Sequence, residues 1–276
     1  MAINSIAIKQ IIGAWAFDSA ETIKWMVSNV ENLQITQDGE TTEKRDSNGS
    51  VIFSIDRNKS CQISFDSSVL DLSLVAALNG TERQDATSNA PIRVPYIERF
   101  TLKDADVTNK YVSLNKKPIA ETGGVYKISF HTLTTDGSLD DNYEQTASSA
   151  APTKFYYNSI NNKIHFPTDP SVFKVGTRIE VIYEYSVTAG VKVVNAADKF
   201  PDAAKVRFLV LAVDLCDQTK VRALWITAKN AKPETSNTIG FNLDDTISVT
   251  LDLAYSYCDE DKSFYEISVA DEAFTW

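Results

Sequence analysis

The chain has 276 residues, 43% of them apolar and 23% charged, enough material for a large core and too little net polarity for wholesale disorder. A formal charge of −10 argues against a phosphate-gripping basic surface, and three Cys with no CxxC spacing argue against a disulfide framework. No apolar run approaches the ~18 residues of a membrane span, and MAINSIAIKQ has no basic n-region, so a soluble protein of a reducing compartment is expected.

The elements read as β almost throughout. VIFSI (51–55) and CQISF (61–65) alternate apolar and polar residues, the period of a half-buried strand. Residues 67–80, SSVLDLSLVAALNG, break that period. Ser68 reads as an N-cap with Asp71 three positions on, and Gly80 reads as the residue past the helix end. Leu70, Leu74 and Leu78 fall at helical spacing, and the other faces are apolar too. Such a helix needs cover on most sides, inside a sheet sandwich or between subunits.

Residues 96–190 read as an inserted module, opening after Pro91 and Pro95. It holds the strand-like runs YIERFTL, KYVSL, VYKISFHTL, KFYYN, KIHF and RIEVIYEYSV, with turn signals at Gly123-Gly124, Asp136-Gly137 and Asn161-Asn162. In the last run Ile179, Val181, Tyr183, Tyr185 and Val187 share a face, with Arg178, Glu180 and Glu184 on the wet one. Residues 138–152 are polar and Ala/Ser-rich, the composition of a mobile loop. Further on, VRFLVLAV (206–213) and VRALWITA (221–228) are apolar on nearly both faces, as central strands are. In 246–258, Ile247, Val249, Leu251, Leu253, Tyr255 and Tyr257 form one face and Asp252 lies on the other.

Catalytic chemistry is hard to assemble from this chain. GxSxG, P-loop, GxGxxG and HExxH patterns are absent, and His131 and His165 alone make no triad or metal site. Neither Asp259-Glu260-Asp261 nor Asp136 with Ser138, Asp140 and Asp141 has the ligand spacing of a Ca²⁺ loop, and both read as solvated turns. The Tyr-rich runs at 155–157 and 255–257 could stack sugars or bases, but strand packing is their commoner use. No cofactor, no metal and no enzymatic activity are expected.

Charge is unevenly distributed. Residues 191–233 carry eight basic and four acidic residues, and residues 234–276 one basic and ten acidic. Complementary patches of this kind suit a head-to-tail assembly, and they equally suit two solvated faces. Residues 38–50 hold Asp38, Glu40, Glu43, Lys44, Arg45 and Asp46 beside an Asn48-Gly49 turn signal. That segment cannot pack a core, so it is expected to lack order in an isolated subunit and to gain it against a neighbour.

The succession VENLQIT, QDGETTEKRDSNGS, VIFSIDRNKSCQISFDS, SVLDLSLVAALNG across residues 30–80 resembles the N-terminal half of bacteriophage tail tube (major tail) proteins. KVRFLVLAVDLC, KVRALWITAKN and FNLDDTISVTLDLAYSYC look like the closing strands of that family, and KFYYNSINNKIHF with VGTRIEVIYEYSV like its β-sandwich insertion. The resemblance implies a mainly β fold: a tail-tube β-sandwich or barrel over 1–95 and 191–276 with one flanking helix, and an Ig-like β-sandwich over 96–190. It implies a structural virion protein, made in the host cytoplasm and built into the tail. Homo-hexameric rings would stack into a channel that double-stranded DNA traverses without sequence-specific binding, with other tail proteins as partners and no membrane. The charged tip 38–50 would then lie between subunits or rings, and Leu70, Leu74 and Leu78 in a core or interface. Asp244, Asp245 and Asp252 become candidates for the lumen, although strand alternation alone leaves open which face is the channel. Tubes of contractile injection and type VI secretion systems share this fold. A carbohydrate- or surface-binding decoration protein is the reading from another class.

Overall fold

The computed structural model describes residues 5–215, 219–241, 246–255, 262–270 and 274. In chain order the first elements are β1 (Ile6–Phe17), β2 (Ile23–Val27), β3 (Val30–Arg45), β4 (Val51–Ser67), α1 (Leu72–Leu78) and β5 (Gln84–Asp85). There follow β6 (Ile92–Thr101), α2 (Asp104–Asn109), β7 (Tyr111–Ser113), β8 (Ile128–Leu133), β9 (Leu139–Thr146), β10 (Lys154–Asn158), β11 (Lys163–His165), β12 (Arg178–Val187) and β13 (Val191–Lys192). The chain ends with β14 (Ala204–Asp214), β15 (Val221–Pro233), β16 (Thr238–Ile239), β17 (Ile247–Leu253) and β18 (Glu266–Val269). The fold is mainly β. It divides into two units: residues 1–84 with 193–276, and residues 85–192. Pro95 lies inside β6, opposite Glu184 of β12, so the first boundary falls at 84/85 and not at 95/96.

The first unit is one antiparallel sheet in the order β2-β1-β14-β15-β17-β4-β3, with β16 added beside β17 and β18 beside β15. β2 and β4 are five strand spacings apart along that path, about 24 Å if the sheet were flat. Yet the rings of Trp25 and Phe65 stack with centroids 6.3 Å apart, and Phe65 meets Phe208 edge-on at 5.5 Å. The sheet therefore curls around a core of Ala14, Ala16, Ile63, Phe65, Phe208, Val249 and Leu251. Strands β14 and β15 hold the centre of the path, as their two-faced apolarity predicts, and β14 buries Phe208 through Ala212. In β17, Ile247, Val249, Leu251 and Leu253 are buried while Ser248 and Asp252 are exposed. The strand ends at Leu253, so Tyr255, 47% exposed, does not extend the buried face as its spacing suggested.

Helix α1 starts later than the sequence suggests. Asp71, not Ser68, is the N-cap: its carboxylate accepts the Leu74 N–H at 2.8 Å. Ser68 instead takes a hydrogen bond from Asn29 Nδ2. At the other end the Gly80 N–H donates to Ala77 O and the Thr81 N–H to Ala76 O, the paired bonds of a Schellman turn. Gly80 has φ +65°, and a Cβ there would lie 2.1 Å from the Phe200 carbonyl oxygen, so both conformation and space require glycine.

The second unit is a seven-stranded path, β6-β12-β8-β9-β10-β11-β7. Residues 139–146, read as loop from their polarity, form β9, which leaves its antiparallel partner β8 to pair in parallel with β10. The ends of the path are six spacings apart, about 29 Å if flat. Glu98 of β6 nevertheless accepts the N–H of Asn115, two residues past β7, at 2.9 Å. The path thus folds back on itself as a two-layered sandwich around Phe130, Phe155, Phe166 and Phe173. Ile179, Val181 and Tyr183 of β12 point inward as expected. Glu180 is buried as well, against the wet-face reading, because Arg99 lies across it with Nε 2.6 Å from Oε2.

Candidate functional site

The charged segment 38–50 is not an unordered tip in this structure. β3 and β4 continue as a two-stranded ribbon from the Gln37–Cys61 pair to the Arg45–Val51 pair, a reach of about 30 Å. Its turn is held by Asp46, whose carboxylate accepts the N–H groups of Asn48 at 2.9 Å and Ser50 at 2.8 Å, with Gly49 at φ +82°. Every residue from 36 to 60 is exposed. Sheet pairing therefore continues where no core supports it.

Cross-strand register sorts the ribbon into two unlike faces. Phe53 pairs with Lys44, Ile55 with Thr42 and Arg57 with Glu40 on one face. Ser54 pairs with Glu43 and Asp56 with Thr41 on the other, where Thr41 Oγ1 donates to Asp56 Oδ1 at 2.7 Å. Arg45 and Glu43 form an exposed ion pair at 2.5 Å, Glu40 accepts from Asn58 Nδ2 at 2.9 Å, and the Asp38 carboxylate accepts the Gly39 N–H. Five of the six charged residues named from the sequence thus brace the ribbon internally, and the sixth, Lys44, lies opposite Phe53. The exposed apolar side chains are on the returning strand: Val51, Ile52, Phe53 and Ile55 are 41–60% exposed. Sequence reasoning read VIFSI as a half-buried strand and missed this. The signal was present, since an apolar strand directly after a charged turn has no neighbour in the sequence to cover it.

The helix residues separate. Leu74 and Leu78 are 1% and 3% exposed and belong to the core. Leu70 precedes the helix and is 47% exposed, so it does not share their face; Val69 and Leu72 beside it are also exposed. Between β2 and α1 runs a groove of about 870 Å³, lined by Ile23, Met26, Ala77, Val206 and Leu251 among others. β2 pairs with no strand but β1 among the described residues, and α1 packs beside it.

Asp252 lies on the outer, wet face of β17, in register between Lys232 and Gln62, and accepts Gln62 Nε2 at 2.8 Å. Gln62 also reaches Glu234 at 3.1 Å. Asp66, on the same face, accepts from Ser248 at 2.6 Å and Asn32 at 2.7 Å. These contacts hold three carboxylates on one outward surface. Asp244 and Asp245 lie outside the described residues, as do Cys216, Cys258 and the 259–261 acids. The basic block contributes Lys205 and Arg207, both paired to Glu21, at 2.6 and 3.7 Å. The hydrogen bond from Lys205 holds the Glu21 carboxyl below its usual range.

In the second unit the aromatic runs are mostly packing. Phe155 and Tyr157 are in the core, and burial pushes the Tyr157 hydroxyl up to about 12. Tyr156 stacks on His165 at 5.8 Å. Asp136 ties its own turn, accepting from Thr134 and Ser138. Among the described residues no three His, Cys, Asp or Glu converge where they could hold a metal ion. No helix among them is long and apolar enough to cross a membrane. No protein-family model matches this chain, and no curated protein matches it.

Proposed function

We propose that this chain is the structural subunit of a bacteriophage tail tube, in which six copies close a ring and rings stack into a channel for double-stranded DNA. The observation that carries the reading is the ribbon. A two-stranded hairpin is at best marginally stable by itself, and this one exposes Phe53 and Ile55 on one face for about 30 Å beyond the core. An arm of that kind belongs against another molecule. β2 ends the strand path with no second strand partner among the described residues, the kind of edge that ring closure pairs. In this reading the acidic outer face of β17 and β4, with Asp252, Glu234 and Asp66, looks into the channel. Six copies of it would repel phosphate and let DNA pass without sticking. The decoration-protein reading is the less favoured one, because Phe155 and Tyr157 are taken up by the core of the second unit and Tyr156 stacks on His165.

Negative-stain microscopy of the purified full chain, over a concentration series, tests the proposal. Six-fold rings and hollow tubes are expected. Discrete globules at every concentration, with a monomer mass in solution, would overturn it.

A further inference from the structure

We infer that Asn48, at the tip of the ribbon, is a site of spontaneous deamidation through attack by the Gly49 backbone nitrogen, and that the change undoes the turn that orders the ribbon. The inference goes beyond the assembly reading and does not depend on it.

Asn precedes Gly at two places in the chain, Asn48-Gly49 and Asn79-Gly80. Glycine has no Cβ to shield its backbone nitrogen, so at both places that nitrogen can close on the neighbouring side-chain amide. The bond from the glycine nitrogen to Cγ forms, the nitrogen gives its proton to water, and the Cγ–Nδ2 bond breaks with release of ammonia. Water then opens the cyclic imide at either carbonyl. The product is an aspartate, or an isoaspartate whose main chain runs through Cβ and Cγ. Water is the one co-reactant.

The fold separates the two places. Asn79 caps α1, where its N–H donates to Val75 O and the Gly80 N–H to Ala77 O, each at 3.1 Å. Gly80 lies against the Phe200 backbone with no room for a Cβ. Cyclisation there has to unwind the helix end and displace Phe200. Asn48 is exposed, and its side-chain amide makes no hydrogen bond among the described residues. Nor does any of them come within 4 Å of the position a Gly49 Cβ would take. The Gly49 N–H does donate to Asp46 O at 3.1 Å, so attack waits for the turn to open. That turn is tied by Asp46 and by Arg45, whose Nη1 donates to Gly49 O at 3.0 Å, at the end of a ribbon with no core beneath it. Segments of this kind open at little cost.

The product strikes the same ties. A carboxylate at position 48 stands two residues from the Asp46 carboxylate that accepts the Asn48 and Ser50 N–H groups, so like charges meet inside one turn. An isoaspartate adds a main-chain atom between Asp46 and Ser50. The Asp46 N–H bond to Ser50 O at 2.9 Å and the Ser50 N–H bond to the Asp46 carboxylate at 2.8 Å then lose their common geometry. Without its turn the ribbon is a strand pair with neither core nor closed end, which is marginal at best.

The test ages the purified full chain in mildly alkaline H₂¹⁸O buffer, native and in urea, and follows the peptides spanning 48 and 79 by mass spectrometry. Conversion of amide to acid with uptake of ¹⁸O is expected in the native chain roughly tenfold or more faster at 48 than at 79, and at comparable rates in urea. Equal native rates, no conversion at 48, or the same ratio in urea as in the native chain overturns the assignment. Amide hydrogen exchange over 41–56 reads the consequence. Protection there should fall as 48 converts, and Asn48→Gln, whose longer side chain closes a ring much more slowly, should keep it over the same period. Undiminished protection in the fully converted chain overturns the claim that the turn is undone. Neither readout requires assembly.

Discussion

Replacing Leu74 tests whether α1 is part of the first unit's core or a helix awaiting a partner. Leu74 is 1% exposed and packs with Trp25, Phe65 and Leu78 in one cluster. Truncation to Ala removes three carbon atoms and leaves a cavity, a combination that costs about 2–5 kcal/mol for a buried leucine. With a urea slope of about 2 kcal/mol per M, the midpoint should fall by about 1–2.5 M. Leu74→Asp adds the desolvation of a carboxylate and removes most of the 5–15 kcal/mol typical of a folded unit, so it should yield insoluble protein. The assay is selective because all four tryptophans, at 15, 25, 225 and 276, belong to the first unit. Tryptophan fluorescence therefore follows the unfolding of that unit, and far-UV dichroism follows both. Leu70→Ala, at a 47% exposed position, is the control and should stay within about 0.5 kcal/mol of the parent. A Leu74→Ala midpoint lowered by less than about 0.3 M would refute the claim that this face is dry.

Two predictions concern the second unit. Burial, and then the charge of Lys163, hold His165 below its ordinary value of 6.5. The unfolded chain then takes up the proton first, so stability is full above pH 6.5 and declines as pH falls below it; His165→Gln should flatten that slope in urea titrations, and a slope unchanged by the substitution would be the contrary result. Glu98 accepts from Asn115 N at 2.9 Å, from Asn115 Nδ2 at 2.7 Å and from the Tyr183 hydroxyl, which burial first and then the Glu98 carboxylate push well up from the ordinary range. Glu98→Ala orphans those donors and should cost about 2–4 kcal/mol by thermal denaturation, Glu98→Gln distinctly less because an acceptor oxygen remains, and equal losses would show that the site merely tolerates the charge.

Strand content was legible because burial is written at period two. Ile247 to Leu253 and Ile179 to Tyr183 face inward as their spacing dictates. What failed were features decided by residues remote in sequence. Glu180 looks wet from alternation, and its neighbours across the strands, Arg99, 81 residues earlier, and His131, flank it. Ser68 is a good capping residue, but Asn29 claims its hydroxyl and Asp71 is left to cap. β9 is polar apart from Tyr143, which packs on Phe130 and Phe173, and it otherwise holds its place by pairing to β8 and β10. The ribbon was misjudged for the complementary reason. Its charges excluded a core, which was sound, but backbone pairing and the Asp46 turn order it without one. Strand order was readable only in part: two-faced apolarity put β14 and β15 at the centre, but nothing local announces that β1 finds β14 across the whole second unit.

That last pairing has a consequence for how the chain reaches its native state. Trp15 sits opposite Arg207, roughly 190 residues away, so nucleating the first unit means closing a very long loop. The intervening unit shortens it if it folds first. Ile92 pairs with Val187, and the Ala86 N–H reaches Gly190 O at 2.8 Å, so the folded insertion returns the chain close to where it left. The remaining flexible loop is then about 85 residues, and the closure entropy falls by only about 0.7 kcal/mol, some threefold in rate. Folded first, the insertion would therefore act as a mild accelerator of the β1–β14 pairing. Chains truncated before β14 should carry a finished second unit beside a first unit whose sheet is missing its centre, and whose apolar strands β1 and β4 then need sheltering from one another's copies.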